Sequence, residues 1–584
     1  MKRLLLYVHF NKYNHLSPHV HYQLERMRPL FSRVVFISNS PFQDEDQAIL
    51  RQEGLIDDFI QRQNSGFDFA AWRDGMSYIG WNRLADYDAI TTMNDTCFGP
   101  LWDLAPIYER FEADEQVDFW GLTNHRKTKI FSEHIQSYFI SFSKKVIESE
   151  AFQNFWQPIK EFTDVQDVIG YYETKVTTTL TDAGFKYDTV FNTVDASTEG
   201  MLHPDFSYYN PTAILNARVP FIKVKAINAN QHITPYILNQ LETSSDYPID
   251  LLVSYMTNIS QPDLPYLLAR KYLNKSAYKP VPVTKKVAVH LHVFYVDLLQ
   301  EFLDAFKAFH FSYDLFITTD SQTKLDEIKE VLAENQQPAE ITVTGNIGRD
   351  VLPMLKLKDK LKGYDYIGHF HTKKSKEADF WAGESWRKEL IEMLVKPADE
   401  ILTQLSGKPD LGLVIADIPS FFRFNKIVVA WNENLIAPKM EELWEKMGLK
   451  KSIDFKAMDT FVMSYGTYVW FKYDALEPLF DLNLTDEDVP AEPLPQNSIL
   501  HAIERLLIYI AWDRHYDYGI SQNPVELTPF IDNKMFNTRG NSSPNTYVDF
   551  TYMGGIKGAF KYILIGPAKA TKYIIKRLLE KVKS

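Results

Sequence analysis

The sequence predicts two tandem α/β units of one design followed by a basic amphipathic tail, and three observations carry that prediction. The first is repetition. Asn64-Ser65-Gly66-Phe67-Asp68, Tyr87-Asp88-Ala89-Ile90 and Asn94-Asp95-Thr96 recur in the same order as Asn346-Ile347-Gly348-Arg349-Asp350, Tyr364-Asp365-Tyr366-Ile367 and His371-Thr372-Lys373. The lead-ins match too, Leu4 to Phe10 against Val287 to Phe294 and Phe36-Ile37-Ser38 against Phe316-Ile317-Thr318. Several motifs recurring in register argue for an internal duplication. The second observation is an alternation of short apolar runs with helical spacing. The third is a charge asymmetry at the end of the chain.

Taken in order, Leu4 to Phe10 and Val34 to Ser38 are apolar runs of a length that suits buried parallel strands. His19 to Leu30 between them has helical spacing, and Ala89 to Met93 is a strand leading straight into the polar Asn94-Asp95-Thr96. Such alternation predicts an α/β domain with its ligand crevice at the carboxyl ends of the strands. The first unit is expected over residues 1–230 and the second over 286–525. Residues 231–285 read as helical pieces (Ile249 to Tyr255, Leu264 to Leu273) and a Pro-rich linker, Lys279-Pro280-Val281-Pro282-Val283. Residues 526–584 form an extension. From Ile556 onward, basic residues at 557, 561, 569, 572, 576, 577, 581 and 583 face one acid, Glu580, and interleave with Ile563, Leu564, Ile574, Ile575 and Leu578. This predicts a helix lying on an anionic membrane surface, each nearby cation contributing on the order of 1 kcal/mol. A C-terminal helix packed on the body with a solvated basic face is the alternative.

At 584 residues with 45% hydrophobic and 14% aromatic content, the chain is a folded protein of two or three domains. A net charge of −13 argues against a general nucleic-acid binder. The single cysteine, Cys97, excludes an internal disulfide and any cysteine-based zinc site, as in a cytosolic protein. Leu4 to Val8 is too short for a signal h-region and reads as a first strand. No stretch approaches the roughly 20 apolar residues that span a bilayer. The expected location is cytoplasmic, peripheral on the inner face of the cell membrane.

The repeated motifs carry the chemistry. Asn94 and Asp95 at a strand end offer hard oxygen ligands for magnesium or manganese bridging to nucleotide phosphates, with Asp95 the metal ligand. Asn64, Gly66 and Asp68 are placed to approach a ribose or base edge, Gly66 by permitting close backbone contact. Plain turn formation by Asn94 and Asp95 is the competing reading. In the second copy Asn346, Gly348, Arg349, Asp350, His371, Lys373, Lys374 and, downstream, Arg387 form a donor site rich in cations that suits diphosphate without a metal. His369-x-His371 as a zinc pair and a solvated lysine patch are the alternatives there. For the acceptor hydroxyl's proton, Asp118, Glu173 and His134 join Asp95 as catalytic candidates, unranked. Trp72, Trp81, Trp120, Trp381 and Trp386 are candidates for stacking on sugar rings, against ordinary core packing.

These residues resemble the rhamnan synthesis protein F family of bacterial polysaccharide assembly. The likeness rests on His290-Leu291-His292-Val293-Phe294-Tyr295, Asp314-Leu315-Phe316, Asn346-Ile347-Gly348-Arg349-Asp350, His371-Thr372-Lys373-Lys374-Ser375 and Trp386-Arg387. Gly66-Phe67-Asp68-Phe69, Asn94 to Pro100, Asp118 to Gly121 and His134 to Phe139 add to it. The resemblance implies two GT-A-like units and a rhamnosyltransferase that uses dTDP-L-rhamnose. Its acceptor would be a lipid-linked polysaccharide, and other polysaccharide-assembly enzymes would be its partners. The Asp-x-Asp metal motif usual in such folds is missing, since Asn94-Asp95 has one carboxylate and His371-Thr372 none. A catalytically silent assembly scaffold and a glycan phosphotransferase are the competing functions.

Overall fold

The structure is a computed structural model. It describes residues 1–584 apart from Ile130, Gly200, Leu202, 230–232, Gln261, 263–264, Ala269, 274–281, Lys373, 375–379, 420–429, Ala457, 459–461, Gln496, 523–559, 561–562, Tyr573, 576–577 and 579–584. Its contacts define two compact units, Met1–Met256 and Thr257–Ser584. The segment 231–285 is divided between them: helix Thr234–Ser244 belongs to the first and helix Pro265–Leu268 to the second. Lys279, Pro280 and Val281 of the expected linker lie outside the described residues.

In the first unit the strands are β1 (Arg3–His9), β2 (Arg33–Ser38), β3 (Asp58–Gln61), β4 (Ala89–Asn94), β5 (Cys97–Phe98), β6 (Phe119–His125), β7 (His134–Ile135), β8 (Phe139–Ser143), β9 (Tyr187–Phe191) and β10 (Ile222–Lys223). The main sheet runs β3-β2-β1-β4-β8-β6, with β7 and β9 both paired to β6. Strands β1 to β4 are mutually parallel, β8 is antiparallel to β4 and β6, and β9 is parallel to β6. β5 and β10 pair separately. Both faces of β1 are covered, which is why Leu4 to Val8 reads as a continuous apolar run. Leu4, Leu6 and Val8 pack with Phe69, Trp72 and Met76 of helix Phe67–Ile79, and Leu5 and Tyr7 with Val20, Leu24 and Met27 of helix Pro18–Met27.

The second unit contains β11 (Val287–His292), β12 (Asp314–Thr319), β13 (Glu340–Val343), β14 (Tyr366–His371), β15 (Leu411–Ala416), β16 (Val469–Lys472) and β17 (Asp517–Ser521). Its sheet order is β13-β12-β11-β14-β16-β15-β17, with β16 antiparallel to both neighbours and the other pairs parallel. Strand for strand this is the order and direction of β3-β2-β1-β4-β8-β6-β9. Both units are therefore mixed α/β structures built on a mostly parallel sheet.

In the tail, residues 563–572 are helical, and Ile563, Leu564, Ile574, Ile575 and Leu578 are exposed. Much of the expected basic face (557, 561, 576, 577, 581 and 583) lies outside the described residues. Among the described residues no helix is long and apolar enough to cross a membrane.

Candidate functional site

Each Asn-x-Gly-x-Asp motif folds as the same turn. Gly66 and Phe67 have φ of +66° and +49°, and Gly348 and Arg349 have +84° and +52°. This pair of left-handed residues delivers Asp68 into the first turn of helix Phe67–Ile79 and Asp350 to the cap of helix Val351–Leu355. Both glycines are sterically required. A Cβ on Gly66 would lie 2.5 Å from Ala70 Cβ and one on Gly348 2.1 Å from Leu352 Cβ. Asn64 and Asn346 stay on the exposed lip of the turn.

In the first unit the turn sets Asp68 against the carboxyl end of β4, where Asn94 Nδ2 donates to Asp68 Oδ2 at 2.7 Å. Asp95 Oδ2 accepts from the Phe10 N–H at 2.9 Å, tying the end of β4 to the loop after β1. Glu173, in the π-helical turn Ile169–Glu173, accepts from Ser137 N–H at 3.2 Å. Burial, with the charge of Asp68 adding to it, pushes the Asp95 carboxyl up to about 8. Burial, eased by Asn94 and reinforced by Glu173, raises Asp68 to about 6. Asp68, Asn94, Asp95 and Glu173 thus share one acidic crevice. His134 opens β7 instead, paired with His125 at the end of β6, its Nδ1–H donating to the Ser132 carbonyl at 2.7 Å and its ring stacked on His125 at 5.3 Å.

Asp118 does not belong to the crevice. It precedes β6, beside Ser143 at the start-of-strand edge of the sheet, where Lys145 Nζ at 2.7 Å and the Lys186 N–H at 2.9 Å bind its carboxylate. Its place before a strand, rather than after one, puts it at the wrong edge for catalysis. Trp72 and Trp120 are likewise corrected to core residues, 0% and 5% exposed.

The second unit repeats the frame with different chemistry. Thr372 occupies the place of Asp95, its Oγ1 accepting from the N–H groups of Phe294 and Tyr295, both at 3.0 Å. Glu504 accepts from Gly466 N–H at 2.7 Å, and strand register makes Gly466 the counterpart of Ser137, so Glu504 stands where Glu173 does. His371 Nε2–H donates to the Gly466 carbonyl at 2.7 Å and lies 3.9 Å from Asp350 Oδ2. Asp350 also receives His369 Nε2 at 3.2 Å and the Thr467 hydroxyl. Asp350 is therefore a partner of histidines, not a contact presented to a donor.

The expected cationic cluster is dispersed into ion pairs. Arg349 binds Glu492 at 2.8 Å, Arg387 binds Glu301 at 2.7 Å, and Lys374 binds Asp297. Lys373 lies outside the described residues. The Arg349–Glu492 pair is about half exposed on both sides, so it is worth little to stability. Among the described residues no group of three or more His, Cys, Asp or Glu is placed to hold a metal ion, and the rings of His369 and His371 are instead hydrogen-bonded to Asp350, His290 and the Gly466 carbonyl. Reading the motifs one strand at a time missed Thr318, His290 and His292 as site residues, whereas Ile503-Glu504-Arg505 matches Tyr172-Glu173 in sequence order. The signal was present, as two His-x-His pairs on strands that the repeat makes neighbours.

The chain belongs to the rhamnan synthesis protein F family, whose model matches residues 34–516. It is 28% identical over 232 residues to the uncharacterized protein WxcX of Xanthomonas campestris, covering 38% of this chain and 30% of that one. It is 28% identical over 170 residues to the uncharacterized protein y4gN of Sinorhizobium fredii, covering 29% and 43%. The chain thus matches less than half the length of these curated relatives. Among solved structures it is similar to the glycosyltransferase GlyE of Streptococcus pneumoniae, at 13% identity over 64% of this chain and 86% of that one, with a TM-score of 0.22. That score is too low to carry any feature of GlyE over to this chain.

Proposed function

From membership of the rhamnan synthesis protein F family, we propose that the chain is a glycosyltransferase. It moves L-rhamnose from dTDP-L-rhamnose onto a lipid-linked, growing rhamnan at the inner face of the cell membrane. The observation that carries this reading is the paired architecture in a chain of that family. Two sheets of one strand order each set a carboxylate, Asp68 or Asp350, beneath the carboxyl ends of the central strands, where open α/β sheets take their ligands. We take the two units as products of duplication and as GT-A-like nucleotide-sugar folds. The tail, with its exposed apolar residues, holds the protein to anionic lipid beside other assembly enzymes.

The acidic crevice suits a hard divalent cation. Asp95 and Asp68 supply oxygen donors whose raised carboxyls a cation would relieve, and Mg²⁺ or Mn²⁺ completes its shell from substrate phosphates when protein ligands are few. When bound, the cation would neutralise the leaving diphosphate. Asn94 lines the same crevice with Asn64 on its exposed lip, and Glu173 is the acid–base candidate inside it, His134 standing apart beside His125. In the second unit Asn346, Arg349 and Lys374 are the groups that a diphosphate would recruit. Accordingly, Mn²⁺ with dTDP is expected to raise the thermal midpoint of the wild type and to leave that of Asp95→Asn unmoved, read by differential scanning fluorimetry.

The direct test is turnover of purified chain with dTDP-L-rhamnose and a short lipid-linked rhamnose acceptor, with and without EDTA. Product that falls at least tenfold with EDTA is the expected result. No product with an acceptor that a known transferase extends would overturn the reading.

A further inference from the structure

The two units share a frame but fill one layer of it oppositely. Strand register equates Leu6 with His290, Val8 with His292, Thr92 with His369, Asn94 with His371 and Ile37 with Thr318. The first unit packs Leu6, Val8 and Ile37 as hydrophobic core. The second unit places imidazoles and a hydroxyl there, with His290 and His369 0% exposed and Thr318 equally buried. A frame that can be filled with aliphatic side chains does not need four histidines for stability, because buried polar groups cost free energy unless every one is paired.

These groups are paired, in one continuous line. Asp350 Oδ2 meets His369 Nε2 at 3.2 Å, and His369 Nδ1 meets His290 Nδ1 at 2.8 Å. His290 Nε2 meets Thr318 Oγ1 at 2.9 Å, and Thr318 Oγ1 meets His292 Nδ1 at 2.9 Å. One charge fixes every proton in the line. The Asp350 carboxylate can only accept, so His369 donates from Nε2 and its Nδ1 is a lone pair. His290 must then donate from Nδ1 and accept at Nε2 from the Thr318 hydroxyl. Thr318 in turn accepts from His292 Nδ1–H. The line ends at His292 Nε2, left as a lone pair at the carboxyl end of β11, beside His371 in register.

We propose that Asp350–His369–His290–Thr318–His292 is a proton relay and that His292 Nε2 is the base that receives the acceptor hydroxyl's proton in the second unit. This rests on the transferase reading above. As the acceptor oxygen bonds to the anomeric carbon, the carbon–oxygen bond to the diphosphate breaks and the diphosphate leaves with that electron pair. The hydroxyl proton passes to His292 Nε2. His292 Nδ1–H moves to Thr318, the Thr318 proton to His290 Nε2, and His290 Nδ1–H to His369 Nδ1. The gained charge then lies at the His369–Asp350 hydrogen bond, away from the reacting atoms. Burial, joined by His371 and His369, lowers His292 to about 4 against the pull of Asp350 and Asp320, so it rests neutral with Nε2 free of a proton.

Two measurements decide the proposal. Histidine ¹⁵N NMR of the full chain, assigned with single His→Gln variants and needing no substrate, should show His369 protonated at Nε2 and His290 and His292 at Nδ1. A proton on His292 Nε2 in the wild type would overturn the relay. In the transfer assay, Thr318→Val keeps the side-chain shape but removes the link. In the transfer that persists in EDTA, where the cation-dependent first unit is silent, it is expected to lower kcat 10- to 100-fold at unchanged KM for dTDP-L-rhamnose, and His292→Ala to lose at least 100-fold with partial rescue by free imidazole. Wild-type kcat and pH profile in Thr318→Val would refute the relay. If the wild type transfers nothing, the transferase reading falls and the tautomers alone judge the relay.

Discussion

Gly348→Ala is expected to cost the second unit about 3 kcal/mol and to displace Asp350 from its histidines. Two penalties add. A left-handed residue with a Cβ costs roughly 1–2 kcal/mol, and forcing a methyl into a packed turn costs roughly 1–3 kcal/mol. The clash cannot relax cheaply, because the added Cβ would stand 2.1 Å from Leu352 Cβ, in the first turn of the helix that Asp350 caps. Gly345→Ala is the internal control, for Gly345 also has positive φ, +81°, yet nothing lies within 4 Å of its Cβ position. It should show only the backbone penalty of about 1 kcal/mol. Urea unfolding of the three proteins checks this, and equal losses in both variants would show that the turn tolerates a side chain.

The frame was legible because its signals are local. Apolar runs of strand length marked β1, β2 and β4 to within a residue or two, and the match of Val287 to Phe294 to the first of them marked β11. What was not legible depends on partners far apart in sequence. The cations of the second unit read as a phosphate cluster because Glu492, Glu301 and Asp297 lie 143, 86 and 77 residues from the groups they bind. Asp118 read as a catalytic carboxylate because no local signal tells which edge of the sheet a residue before a strand will reach. The histidine layer escaped because His290 and His292 served as a lead-in match and a mark of resemblance, each strand taken by itself. Set beside His369 and His371 on a neighbouring parallel strand, they describe a polar layer.

The first unit offers a contrast that sharpens the reading of that layer. Its strand-end carboxyls are destabilised where they stand, and a cation is the general remedy for such a pair. The second unit holds its carboxylate in place with hydrogen-bond donors instead: burial pushes Asp350 up, but His371, His369 and Thr467 outweigh burial and keep it well below the usual carboxylate range. One frame thus carries two opposite treatments of a buried aspartate. That difference has a signature in pH.

Acidification from pH 7 to about 4.5 is expected to open the second unit before the first. Burial holds His290 well below its ordinary value and His292 at about 4, whereas an unfolded histidine takes its proton near 6.5. Between those limits the unfolded chain binds more protons, so each histidine removes about 1.4 kcal/mol per pH unit as pH falls. The depressed Asp350 adds a further loss below about 3.8, its stabilisation being present above that value. In the first unit His9 and His19, both at about 3 through burial, act in the same sense. Asp68 and Asp95 act in the opposite sense. Their raised carboxyls contribute stability that is full below about 3.8 and is lost as pH rises through about 6 and about 8, so on acidification they offset the two histidines. His125 and His501, both lowered by burial, add one more acid-sensitive group to each unit. Hydrogen exchange of the full chain, followed by mass spectrometry across this pH range, should show β11 and β14 losing protection first. His290→Leu combined with His292→Val, which installs the residue types the first unit has at these positions, should flatten the dependence. Loss of β1 and β4 first, or an unchanged slope in the double variant, would mean that the histidine layer is not what titrates.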